Sequence, residues 1–212
     1  MKQGVWQNII IMSNTKLSKL FITGCDHRTR WQLPWFLENF KKWNDTPIKI
    51  YDFDEFNPAA KGWFKKPSAM WDATSLADQV VWLDTDCEVL GNLDTIWKYI
   101  EPNKLAMCQD LPWSTRSGEM WHNSGVVGFQ GPIQVLKDWS VAVEQSPIQG
   151  DQETLHYMLK DDLKRMIYIS DIPRRFNVLR IDHLDDTVPR NPLIYHWTGY
   201  KGNVHIKGLI DG

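Results

Sequence analysis

Two hydrophobic rhythms alternate along this chain. Short runs rich in large apolar residues fall at 19–23, 47–51, 80–83, 105–108, 166–169 and 193–196, each the length of a buried strand. Between them the apolar positions recur at helical spacing. Trp31, Trp35, Phe36 and Phe40 share one face of a helix predicted over 30–43, where Pro34 suits a first turn. Further helices are predicted over 68–77, 94–100, 132–145 and 151–160. This order predicts an α/β fold, a mainly parallel central sheet flanked by helices. One domain is expected over 16–212, with residues 1–15 as a loose N-terminal extension. In such sheets ligands bind beyond the carboxyl ends of the strands, and Asp26 and Asp84 both lie there.

The run Val80-Val81-Trp82-Leu83 stops abruptly at Asp84-Thr85-Asp86. In extended backbone, side chains two residues apart point to the same face, so the carboxylates would leave the sheet side by side. Such a pair is costly unless a cation lies between its members, and hard divalent ions prefer oxygen ligands. An ion held there would grip a diphosphate. A second Asp-x-Asp, at Asp52 and Asp54, follows the alternating Ile48-Lys49-Ile50-Tyr51 and reads as a half-exposed strand entering a solvated loop.

Three later segments combine polar chemistry with a structural alternative. Asn123-Ser124-Gly125 precedes an apolar strand: its amide and hydroxyl suit a hydroxylated ligand and Gly125 permits close approach, or the segment is a capped turn. Asp151 in Gly150-Asp151-Gln152-Glu153 would orient sugar hydroxyls, or act as an N-cap. His196 and Lys201, in Ile194-Tyr195-His196-Trp197-Thr198-Gly199-Tyr200-Lys201-Gly202, would supply a metal ligand and a phosphate partner from a strand and the glycine-containing loop after it. His196 as a structural histidine is the alternative.

Bulk properties narrow the picture. A net charge of −2 over 212 residues gives no general basic footprint for nucleic acid, although Arg28, Arg30, Lys61, Lys65, Lys66, Arg174 and Arg175 form local basic groups that read mostly as solvated surface. The three cysteines have no zinc-type spacing and suggest a reducing compartment. With no apolar stretch long enough to span a bilayer, a cytoplasmic protein with at most peripheral membrane contact is expected. Of the twelve tryptophans most are expected to be structural, with Trp113, Trp121 and Trp197 falling near the polar motifs.

The order Leu83-Asp84-Thr85-Asp86, Asn123-Ser124-Gly125-Val126, Asp151-Gln152, Arg175-Phe176-Asn177 and His196-x-x-Gly199 resembles glycosyltransferase family 8, the group of glycogenin and the bacterial lipopolysaccharide galactosyltransferases, over residues 19–203. The resemblance implies the single-domain nucleotide-diphospho-sugar transferase fold (GT-A, Rossmann-like). It implies transfer of a hexosyl or pentosyl group from a nucleotide-sugar, a UDP-sugar in most members, to an acceptor hydroxyl with retention. Asp84, Asp86 and His196 would ligate Mn2+ (or Mg2+). Thr23, Cys25 and Asp26 would meet the nucleoside. Asn123, Ser124 and Asp151 would hold the donor sugar, with Gln152 near the reacting carbon. Lys201 would touch the diphosphate, assisted by Lys66. Asp151 is the first candidate for a base were the reaction inverting.

Family members usually carry His-x-x-Gly-x-x-Lys-Pro, whereas here Lys201 comes one residue early and the proline is missing. The chain is also short for the family. A glycan or lipid-linked saccharide is the expected acceptor, with a modified base in viral DNA as another. Two other readings are a sugar-binding module without catalysis and a haloacid-dehalogenase-type phosphatase. The phosphatase motif normally has Thr or Val where this chain has Glu88.

Overall fold

The computed structural model describes residues 15–57, 62–145 and 150–212. Most of the expected extension, and Lys61, lie outside them. Strand β1 (Leu17–Cys25) leads through a 3-10 turn at Arg30–Gln32 into helix α1 (Leu33–Trp43), with Pro34 in its first turn. Then come β2 (Ile48–Asp52), α2 (Lys66–Ala73), β3 (Ala77–Leu83), β4 (Cys87–Val89), β5 (Leu105–Gln109), α3 (Leu111–Ser117) and β6 (His122–Gln130). The remainder is α4 (Gln134–Gln145), α5 (Asp151–Met158), α6 (Asp162–Tyr168), β7 (Ile169–Asp171), β8 (Val178–Leu179), α7 (Arg180–Leu184), β9 (Ile194–His196) and α8 (Gly199–Asp211).

The main sheet has the order β2-β1-β3-β6-β5-β7. Its pairs are parallel except those of β6, which runs antiparallel to both β3 and β5. This is the expected mainly parallel sheet with one strand reversed. The reversal matters for the site: the start of β6 arrives at the edge where β1, β3 and β5 end. A second sheet, β4-β9-β8, pairs Cys87 with His196.

Strand alternation divides the core. Leu20, Ile22, Val80 and Trp82 face α2, α4 and α5, while Phe21, Val81 and Leu83 face α1 and the small sheet. Fully burying each such side chain stabilises the fold by about 1.5–3 kcal/mol.

Four expectations about elements are corrected. Residues 94–100 form a 3-10 turn at Asp94–Tyr99. The strand expected at 166–169 is mostly the end of α6, whose N-cap Asp161 accepts the Lys164 N–H at 3.0 Å. Met166 and Ile167 are apolar but exposed, so hydrophobicity there does not signal burial. Helix α3, between β5 and β6, was not expected. The glycine-containing segment after His196 is no loop but the start of α8. Gly199 takes φ +73°, and Gly202 sits where a Cβ would collide with the Trp197 carbonyl. Glycine serves there for close approach.

Candidate active site

At the carboxyl edge of β1 and β3 lies a cleft of about 280 Å³, lined by Asp26, Lys66, Asp84 and Asp86 among others, with Gly199 and Asn203 of α8 on its far side. Asp84-Thr85-Asp86 occupies the turn between β3 and β4, closed by Cys87 N–H on Asp84 O at 3.1 Å. The carboxylates are therefore brought together by a turn and not by strand alternation. Thr85, between them, donates to Gln32 Oε1 at 2.8 Å, and Gln32 donates to Asn203 at 2.7 Å, which ties the turn to the 3-10 segment before α1 and to α8.

His196 faces both carboxylates. Its Nε2 lies 3.1 Å from Asp86 Oδ1 and 3.7 Å from Asp84 Oδ2. Its Nδ1 faces the side-chain oxygens of Asn177 and Asn123 at 3.0 and 3.1 Å. The Gly125 N–H, donating to Asn123 Oδ1 at 2.9 Å, fixes that amide's orientation. Nδ1 must then carry a proton, and Nε2 is the nitrogen turned toward the two carboxylates. A ring oriented this way is a ready metal ligand. Burial opposes charge on His196, but Asp86 and Asp84 outweigh it and raise its pKa.

Asp86, Cys87 and His196 each bring a ligand atom within 4.8 Å of the others, so the described residues include a group able to hold a metal. Burial pushes the Cys87 thiol well up, with Asp86 and Asp84 adding to this, and Sγ donates to Gly125 O at 3.9 Å. Cys87 is thus a poor source of thiolate. The donor set that fits a divalent ion is carboxylate, carboxylate and imidazole.

Lys66 opens α2 buried among acceptors. Its ammonium lies 2.8 Å from Asp151 Oδ2 and 3.2 Å from Asp84 Oδ1, and donates to Ser124 O and Oγ at 3.1 Å each. Burial disfavours its charge, yet Asp151 and Asp84 more than compensate and raise its pKa. Asp84, which also accepts the Trp82 indole N–H at 2.6 Å, is shifted up by burial and by Asp86, against the pull of Lys66. Ser124 Oγ donates to Asp151 at 2.8 Å.

Gln152, in the first turn of α5, is held by a network of its own. Its Oε1 accepts from Asn123 Nδ2 at 2.9 Å and from the Ser124 N–H at 3.2 Å, while Nε2 donates to Asp110 Oδ2 at 3.4 Å. Asp110 and Asn177 were given no role from the sequence. Asp110-Leu-Pro112 does carry the signature of a capped helix start, and Asp110 Oδ1 accepts the Trp113 N–H at 3.0 Å.

The remaining expected site residues are divided, Asp26 at the cleft and the others away from its lining. Thr23 is fully buried and its hydroxyl has no partner. Cys25 lines a separate depression at the β2 edge, its pKa pushed by burial to about 11. Asp26 borders the cleft, accepting the Arg28 and Thr29 N–H groups at 3.0 and 3.1 Å. Lys201 is exposed in the first turn of α8 and is not part of the cleft lining.

Several basic groups are bound to protein acceptors. Lys65 is buried and donates to the Phe53 carbonyl, and Arg174 pairs with buried Asp182. Asp52 and Asp54 are not merely solvated: Arg30 bridges them at 2.6 and 2.9 Å, and His27 joins Asp54 at 2.9 Å. Among the described residues, no helix is long and apolar enough to cross a membrane.

No protein-family model matches the sequence, and no curated protein matches it. Solved structures do. A glycosyltransferase involved in glycosylating the major capsid of PBCV-1 superimposes with a TM-score of 0.66 at 13% identity, covering 92% of this chain and 100% of that one. The galactosyltransferase LgtC, in complex with donor and acceptor sugar analogues, gives 0.56 at 15% identity, covering 85% and 87%. The glycosyltransferase GlyE of Streptococcus pneumoniae gives 0.57 at 17% identity, covering 87% of this chain and 55% of GlyE. With its reversed β6 and its second small sheet, this chain has the GT-A fold of the LgtC-type glycosyltransferases.

Proposed function

We propose that the protein is a metal-dependent glycosyltransferase that moves a sugar from a nucleotide-diphosphate donor, a UDP-sugar, to an acceptor hydroxyl with retention. One observation carries this reading. Residues from distant segments (Lys66, Asp84, Asp86, Ser124, Asp151 and His196) converge at the carboxyl edge of a GT-A sheet, with acceptor atoms gathered around one imidazole nitrogen.

Asp84, Asp86 and His196 would hold Mn2+ or Mg2+. A divalent ion there supplies Lewis-acid charge that neutralises the diphosphate as leaving group. The other roles belong to the chain's own groups. Asp26, at the end of β1, meets the nucleoside. The start of α8, whose N-cap Thr198 makes no side-chain cap, borders the same cleft at Gly199, and its amides would offer donors to phosphate oxygens. They suit this better than the exposed Lys201. Asp151, Ser124 and Asn123 hold the hydroxyls of the donor sugar, and the Lys66 ammonium fixes the Asp151 carboxylate in place for that task. Gln152 is a neutral amide, fixed at both ends, that orients the reacting carbon and forms no stable ester with it. Attack on the same face as the departing phosphate, giving retention, follows from that. Three buried free cysteines support a reducing, cytoplasmic location. A glycan, free or lipid-linked, is the acceptor class.

Calorimetric titration of UDP, with and without Mn2+, on wild type and Asp86→Ala tests the donor site. Micromolar binding that requires both the ion and Asp86 is expected. Binding of no nucleotide in the presence of metal removes the proposal. An NMR time course of the anomeric product tests retention.

A further inference from the structure

Three of the described tryptophans are strongly exposed: Trp43, Trp63 and Trp113, at 42%, 59% and 47%. Trp43 ends α1 beneath Lys42, and Trp63 lines the cleft. Trp113 belongs to neither setting. It lies in the first turn of α3, and its backbone N–H is held by the same Asp110 carboxylate that receives Gln152 Nε2. One carboxylate therefore ties the backbone that carries this indole to the amide assigned above to the reacting carbon.

The ring is braced from behind. Trp113 meets Trp121 at 81° with centroids 6.1 Å apart, so the two do not stack. Trp121 is buried and stacks on His156 at 3.5 Å, and His156 Nε2 is held by Glu119 at 2.8 Å. A large apolar surface kept rigid yet uncovered, beside polar groups of a site, is the character of a recognition residue.

We infer that Trp113 is the platform on which the acceptor saccharide rests. The inference depends on the transferase reading above. The electron-rich face of an indole attracts the C–H groups on one face of a pyranose ring, while the sugar's hydroxyls remain free for Asp110 and Gln152. The charges nearby favour a neutral acceptor over a nucleic acid. Arg116 is paired with Asp185 at 2.8 Å and Lys160 with Glu119 at 3.5 Å, so each nearby cation already has a carboxylate beside it that a nucleic-acid phosphate would have to displace.

The test is retention on an array of immobilised neutral oligosaccharides, with single-stranded DNA as a comparison, in saturating UDP and Mn2+. Wild-type protein binds at least one oligosaccharide, Trp113→Ala weakens that binding by about tenfold, and Trp113→Phe restores most of it. Because Trp113 is exposed, unchanged melting temperatures show that both variants are folded. No glycan retained, loss below about twofold in Trp113→Ala, or retention by DNA alone overturns the inference. The nucleotide titration on wild type separates the two claims: failure there removes the transferase reading, while nucleotide binding without tryptophan-dependent glycan binding removes only the platform.

Discussion

The ammonium of Lys66 lies 2.8 Å from the carboxylate of Asp151, and both side chains are buried. It joins the end of the β3 segment directly to α5, two parts of the site that are otherwise linked through the start of β6. Removing the cation leaves the Asp84 and Asp151 carboxylates near each other with no neutralising charge between them, holding only the neutral donors Trp82 and Ser124. Lys66→Met is expected to destabilise the fold by about 3–5 kcal/mol, a fall of roughly 10 °C in melting temperature for a domain this size. Added Mn2+ should recover part of the loss by supplying charge to Asp84. Thermal unfolding with and without the ion checks both statements.

Asn177 makes its contribution through His196. By accepting from Nδ1 it sets which nitrogen faces the carboxylates and would bind a metal. Asn177→Ala should weaken Mn2+ binding by about 10–100-fold with little change in the fold. Calorimetry in the presence of UDP measures the first, and the melting temperature the second.

Gly125 fills no role that a larger residue would tolerate. A Cβ on it would overlap the His196 ring. The imidazole would have to leave its place between Asn123 and Asp86. Gly125→Ala should therefore abolish metal-dependent nucleotide binding. Binding within threefold of wild type would show that the ring can shift without consequence.

His156 gives the fold a pH dependence away from the candidate metal ligands. Burial under Trp121 lowers its pKa from the ordinary 6.5, only partly opposed by its hydrogen bond to Glu119. The unfolded chain then binds the proton more readily than the folded one does, so stability is complete above about pH 6.5 and declines as the pH falls below it. Urea midpoints at pH 7.5 and 5.5 should differ less in His156→Gln than in wild type.

The sequence exposed some parts of this arrangement and hid others for physical reasons. The end of β3 was legible because a fully buried strand must be apolar and cannot continue through two carboxylates. His196 was legible because β9 is a short apolar run that stops at it. Helix α8 was hidden because Gly199 and Gly202 look like breaks, whereas one is a left-handed entry residue and the other a contact with the Trp197 carbonyl. The burial of Lys65 and Lys66 was hidden because their partners, the Phe53 carbonyl and Asp151, are distant in sequence. Asp110 was readable as a helix cap, but its second bond, to Gln152, exists only once β5 and α5 have met.

The pairing of β4 with β9 brings Asp86 against His196 across more than half the length of the chain. Loop closure over that span comes late relative to local structure. During synthesis Asp86 emerges long before His196, so these two candidate ligands can meet only late. A nascent chain lacking β9 could carry the Asp84-Thr85-Asp86 turn but would have no imidazole to complete it, so metal binding would report completion of the fold.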